Sequence, residues 1–153
     1  MATGRCSAAD VPRVRSDAGF TLVEVLTVVV IIGVLAAVAL PTFLGQKQKA
    51  TDSAAKELAR TAQTAAEAYS TDHNGSYSKL SVAELQAVEP TLKDTSTAEL
   101  TGAEALAEGQ GYVVETQSAG TGHTFSIERT AGGETVRSCA PEKQGGCPAG
   151  SRW

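Results

Sequence analysis

The apolar and polar residues of this chain follow three different periods along its length. Residues 20–40 are almost continuously apolar and contain a single charge, Glu24. At about 1.5 Å per residue a helix of this length spans roughly 31 Å, close to one hydrocarbon core. The run is rich in Val and Ile, but it is far too long for one strand. From residue 41 to 72 the pattern becomes helical and two-faced. Ala54, Ala55, Leu58, Ala62, Ala65, Ala66 and Tyr69 recur at three- and four-residue spacing. Lys47, Lys49, Asp52, Lys56, Glu57, Arg60 and Glu67 supply most of the opposite face. The two stretches together predict one long helix over about residues 20–69. A bend is expected near Pro41, which lacks a backbone donor and clashes with the preceding turn.

Asp72-His73-Asn74-Gly75 carries the turn chemistry that ends such a helix. Asn74-Gly75-Ser76 is also a glycosylation sequon by letter, but Asn-Gly has a direct backbone rationale as a turn. Residues 73–110 read as a connecting region with short helices. One is opened by the capping-box letters Ser81-Val82-Ala83-Glu84 and ends before Pro90; a second is predicted over about residues 98–107. Residues 111–116, 124–128 and 134–138 read as strands separated by Gly-containing turns. They predict an antiparallel meander whose Phe125, Ile127 and Val136 pack on the alanine face of the helix. The fold class is therefore α+β, a long N-terminal helix on a small antiparallel sheet.

Composition narrows the function. The chain has 153 residues, enough for one domain plus appendages, and its 5% aromatic content implies a small core. A formal charge of −4 argues against a general nucleic-acid binder. His73 and His123 are isolated in turn contexts, and no triad spacing, phosphate loop or dinucleotide fingerprint is present. The chain is expected to be a substrate of enzymes rather than an enzyme, with no cofactor and no metal.

Glu24 is the feature that needs a reason. A carboxylate at the centre of a membrane helix costs about 2.5–3.5 kcal/mol, and less near an end. Three readings of residues 20–40 are open. The first is a secretory signal cut after Ala37-Val38-Ala39, although the run is longer than the usual apolar region. The second is a plain single-span anchor carrying a binding module, with Glu24 near the interface. The third is a filament-forming precursor. Arg5, Arg13 and Arg15 precede the run and Lys47, Lys49, Lys56 and Arg60 follow it, so charge does not choose an orientation.

The local string Gly19-Phe20-Thr21-Leu22-Val23-Glu24 resembles the start of type IV pilin and pseudopilin precursors. A short polar leader, residues 1–19, ends in Gly, and the acid is the fifth residue beyond it. The resemblance implies cleavage between Gly19 and Phe20 by a prepilin peptidase, then methylation of the Phe20 amine. It implies a cytoplasmic leader, a single-pass precursor in the cytoplasmic membrane, and a homopolymer built by a pilus assembly platform and its motors. It also implies that Glu24 pairs with the Phe20 amine of a neighbouring subunit. Gly33 and Pro41 fall where such proteins carry a Gly and a Pro, and residues 33–41 match the stretch that can loosen in filaments. The resemblance is specific over residues 19–44 and general beyond.

Processing would remove Cys6 and leave Cys139 and Cys147, an even pair in a segment the resemblance places outside the cell, where a disulfide is expected. It would leave 134 residues, with ten basic and fifteen acidic side chains and a formal charge of −5. The leading expectation is a type IV pilus subunit, extracellular once assembled, with adhesion or motility among its tasks. The alternative within the fold is a pseudopilin of type II secretion or of competence DNA uptake. Nucleic acid is a partner only in the competence case.

Overall fold

The computed structural model describes residues 19–153. The leader expectations on residues 1–18, including Cys6, lie outside the described residues. The chain divides into two units, Met1–Val38 and Ala39–Trp153.

Helix α1 (Leu22–Asp72) belongs to both units and is uninterrupted at Pro41. In the first unit every described residue is exposed, including Val28, Val29, Ile31 and Ile32. Among the described residues no neighbouring element covers these side chains, and α1 is the one helix long and apolar enough to cross a membrane. Its apolar surface is therefore a surface for lipid or for other helices.

The second unit contains the core. Ala55, Ala59, Ala62, Ala65, Ala66 and Tyr69 of α1 are buried, and the small side chains let the helix lie close to the sheet. Gly75 ends the helix with a positive φ of 82°, and its N–H donates to Ser70 O at 2.7 Å. This is the wrapped-back C-terminus for which glycine has no Cβ penalty. Helix α2 (Val82–Val88) starts at Ser81, whose hydroxyl accepts the Glu84 N–H at 3.3 Å. A 3₁₀ turn, Pro90–Lys93, follows.

Four strands, β1 (Ala98–Leu106), β2 (Gly111–Ser118), β3 (Thr124–Arg129) and β4 (Thr135–Ala140), form one antiparallel sheet in the order β1-β2-β3-β4. Its inner face places Leu100, Ala103, Tyr112, Val114 and Ile127 in one cluster with the helix alanines, Tyr69, Leu85 and Leu92. Glu67 ties the helix to this face, accepting from Tyr77 Oη at 2.7 Å and Tyr112 Oη at 3.0 Å. Burial, reinforced by the Glu67 charge, pushes the Tyr112 hydroxyl above the usual tyrosine range and keeps it a donor.

Three expectations are corrected. The predicted helix over residues 98–107 is strand β1, so the sheet has four strands rather than three. Ala, Glu and Leu favour helix in isolation, but Ala98 and Leu100 are buried while Glu99 and Thr101 are exposed, the alternation of a half-buried strand. A bulge between Leu100 and Gly102 shifts the register and hides that alternation in the letters. Val136 does not pack on the helix. It pairs with the exposed Glu128, which puts it on the outer face, while its neighbour Arg137 pairs with buried Ile127. Asp52, read as part of the polar helix face, is completely buried.

Candidate functional site

Two sets of residues carry the chemistry, one in each unit. In the first, Gly19 and Phe20 precede α1 in exposed, non-helical backbone. Nothing packs within 4 Å of the place a side chain on Gly19 would occupy, and Phe20 is 82% exposed. The Gly19–Phe20 peptide is thus open to attack without unfolding the helix. Thr21 and Glu24 then close the helix start reciprocally. The Glu24 N–H donates to Thr21 Oγ1 at 3.2 Å, and the Thr21 N–H donates to Glu24 Oε2 at 3.4 Å. These are the two bonds of a capping box, and they use donors that a helix start leaves unpaired. The letters Thr21-Leu22-Val23-Glu24 spell that box, a local role for Glu24 beside the expected pairing with a neighbouring amine.

This geometry places the Glu24 carboxylate at the positive end of the α1 dipole, on the Thr21 N–H, which is one residue beyond the Phe20 amine that cleavage would create. Phe20, Val25, Val28 and Val29 flank Glu24 in an open apolar groove of about 330 Å³. A second copy of such a helix could bury its apolar side chains there, and the acid at the groove's end would then need a cation. Gly33 has open space around it, and Pro41 sits within the helix with Thr42 Oγ1 donating back to Ala39 O at 2.8 Å.

In the second unit, Asp52 is the hub. Its Oδ2 accepts from the Gly146 N–H at 2.7 Å and from His123 Nδ1 at 2.9 Å, and its Oδ1 accepts from Thr121 Oγ1. Burial pushes the Asp52 carboxyl up, but the bonds from Thr121, Gly146 and His123 outweigh it and hold the carboxyl below its ordinary value. Lys56, one turn on, donates to Gly146 O at 2.6 Å and lies over the rings of Phe125 and Trp153. Burial lowers its ammonium pKa, against the raising effect of Asp52.

Asp52 and Lys56 thereby hold both backbone groups of Gly146, inside the loop that the Cys139–Cys147 disulfide closes. A Cβ on Gly145 would collide with the Asp52 carboxylate and the His123 ring, and one on Gly146 would sit 2.8 Å from Asp52 Cβ. Glycine is required at both positions by this close approach. The structure brings His123 to Asp52 but leaves His73 stacked on Tyr69, and no group of three metal-ligating side chains occurs among the described residues.

Comparison with known proteins gives three findings. Residues 14–40 match the family model described as a prokaryotic N-terminal methylation motif. The type II secretion system core protein G of Aeromonas hydrophila is 38% identical over 60 residues, covering 39% of this chain and 42% of that protein. The protein of the same name from Vibrio cholerae serotype O1 is 53% identical over 38 residues, covering 25% of this chain and 26% of that protein. The chain thus matches less than half the length of these curated relatives. No solved structure matches. The matched motif spans Gly19, Phe20 and Glu24, the same residues whose exposure and hydrogen bonding set this end of α1 apart, and the chain carries a prokaryotic N-terminal methylation motif over residues 14–40.

Proposed function

We propose that this chain is the structural subunit of a pilus-like fibre, freed from its leader after Gly19 and polymerised through the apolar part of α1. The observation that carries the reading is the Thr21–Glu24 cap at the head of an uncovered apolar helix. It holds an acid in register beside the amine that cleavage would release, while residues 20–40 offer no other charged side chain to a neighbour. Pairing of Glu24 with the Phe20 amine of the next copy would compensate the charge as the helices leave lipid.

The two relatives favour the short-fibre version of this reading, a pseudopilin of a type II secretion system, over the surface pilus. The disulfide-clipped C-terminal loop is the observation on the side of a surface pilus. The partners in either case are a prepilin peptidase, the assembly platform and further copies of the chain. The decisive experiment is the N-terminal residue and mass of the mature protein together with electron microscopy of cells expressing it. Methylated Phe20 and fibres support the reading. An intact Met1 in assembled material, or a mature chain starting at Leu40, overturns it.

A further inference from the structure

In the second unit, the first turns of α1 keep one face toward the loop between β2 and β3. Leu44, Lys47, Gln48 and Thr51 share that face at three- and four-residue spacing, and with Gly120 and Thr121 they line an open groove of about 290 Å³. The loop is held beside the helix at two points. Thr121 Oγ1 donates to the buried Asp52, and a Cβ on Gly120 would sit 2.8 Å from Thr51 Cγ2. Glycine permits this close approach. The backbone N–H groups of Gly120 and Thr121 donate to no acceptor among the described residues.

The groove is apolar at one end and carries charge of one sign. Leu44 forms the end nearer the apolar run, and Leu40, one turn earlier, is exposed beside it. Lys47 and Lys49 are exposed and form no ion pair among the described residues. Residues 41–51 and 116–127 contain no acid. The next acid along α1, Asp52, is buried and already accepts from Thr121, His123 and Gly146. Lys47 lies seven residues beyond Leu40, about 10 Å along a helix. Helical side chains tilt toward the N-terminus, which brings its ammonium back toward the end of the apolar run. Phospholipid headgroups occupy a layer roughly 5–8 Å deep at that boundary.

We propose that this groove seats the headgroup of an anionic phospholipid while the chain is in the membrane. The phosphate lies against Lys47 and the two loop N–H groups, and the upper acyl chain lies along Leu44 and Leu40. A free phosphate would satisfy the cation and the donors but leave the leucines in water, whereas an amphiphile uses both ends of the groove. The inference rests on the membrane-anchored stage of the reading above and not on polymerisation. It gives the Asp52 cluster a second consequence, because Asp52 holds the loop that forms one wall of the groove.

The test uses the full-length chain in lipid nanodiscs. Discs of phosphatidylcholine alone are compared with discs that also contain phosphatidylglycerol, and inorganic phosphate is added to the chain in detergent as the soluble control. Amide exchange at residues 118–123 should slow about five-fold or more in the phosphatidylglycerol discs only, the scale set by one lysine at an anionic membrane surface. Lys47→Gln/Lys49→Gln should abolish the slowing, and Lys47→Arg/Lys49→Arg should keep it. Both side chains are exposed, and unchanged exchange in β2 and β3 would show that the fold is intact. Equal exchange in the two kinds of disc, or slowing that survives the glutamine variant, overturns the inference. The same slowing with phosphate in detergent assigns the groove to a free anion and overturns it too. Slowing that appears only in fibres makes the groove a contact between copies, with the same result. All of these outcomes leave the fibre reading standing, and a chain that binds lipid but never polymerises removes the fibre reading alone.

Discussion

Glu24 and Thr21 cap each other: each backbone N–H donates to the other's side chain, at 3.2 and 3.4 Å. The acid that looks stranded in the sequence is therefore partnered before any neighbour arrives, and its later pairing is an exchange of partners at a helix start. This predicts that Glu24→Ala leaves cleavage after Gly19 unchanged, because the cut site is exposed backbone outside the helix, but abolishes fibres. Immunoblots of processing and electron microscopy of fibre yield check the two halves; normal fibres from the mutant would refute the assembly role.

Thr21→Ala removes one side of the cap and leaves the carboxylate in place. The expected cost is about 1 kcal/mol at the helix start, typical of losing a capping hydroxyl. Processing should persist, and fibre yield should fall less than in Glu24→Ala. Faster amide exchange confined to the first turn of α1 in detergent would report the loss directly. Equal fibre loss in both variants would show that the cap, rather than the charge, is what assembly needs.

Asp52→Ala should destabilise the second unit by about 2–4 kcal/mol, because it strands the buried His123 ring and the Gly146 N–H together. Denaturant unfolding of the processed chain in detergent, followed by Trp153 fluorescence, gives the number. Gly146→Ala is expected to fall in the same direction, since its Cβ would meet Asp52. A change under 0.5 kcal/mol, about the level of an ordinary surface substitution, would contradict the hub assignment.

The acid limb of stability should carry the signature of the same residue. The Asp52 carboxyl is held below its ordinary value of 3.8, so its contribution is complete above that value and is lost as pH falls through the lower, folded one. Stability measured from about pH 5 down to about pH 2 should decline, and Asp52→Asn should show a shallower decline over that window. Parallel pH profiles for the two proteins would rule Asp52 out as the source.

Reduction of the Cys139–Cys147 disulfide should cost about 2–3 kcal/mol in the chain-entropy model, given its short loop. It should also release Gly145 and Gly146 from Asp52, so Cys139→Ser and Asp52→Ala are expected to be less than additive. A double-mutant cycle by denaturant unfolding measures the coupling, and strict additivity would separate the two features.

Much of this protein was legible in its letters. The length of the apolar run, the Gly19–Phe20–Glu24 register, the alanine stripe from Ala55 to Ala66 and the turn at Asn74-Gly75 are all local signals, each specified by a period or by one residue's backbone preference. The structure has the long helix, the turn and the Cys139–Cys147 bond in those places. The tertiary structure decided what depends on neighbours distant in sequence. Residues 98–106 have helix-forming letters and become a strand because β2 offers them a ladder and α2 covers their inner side. Asp52 has a surface residue's letter and is buried because Thr121, His123 and Gly146, some 70 to 95 positions away, supply its hydrogen bonds. Local propensity is written residue by residue, whereas the burial of a charge becomes affordable only once the chain has brought its partners to it.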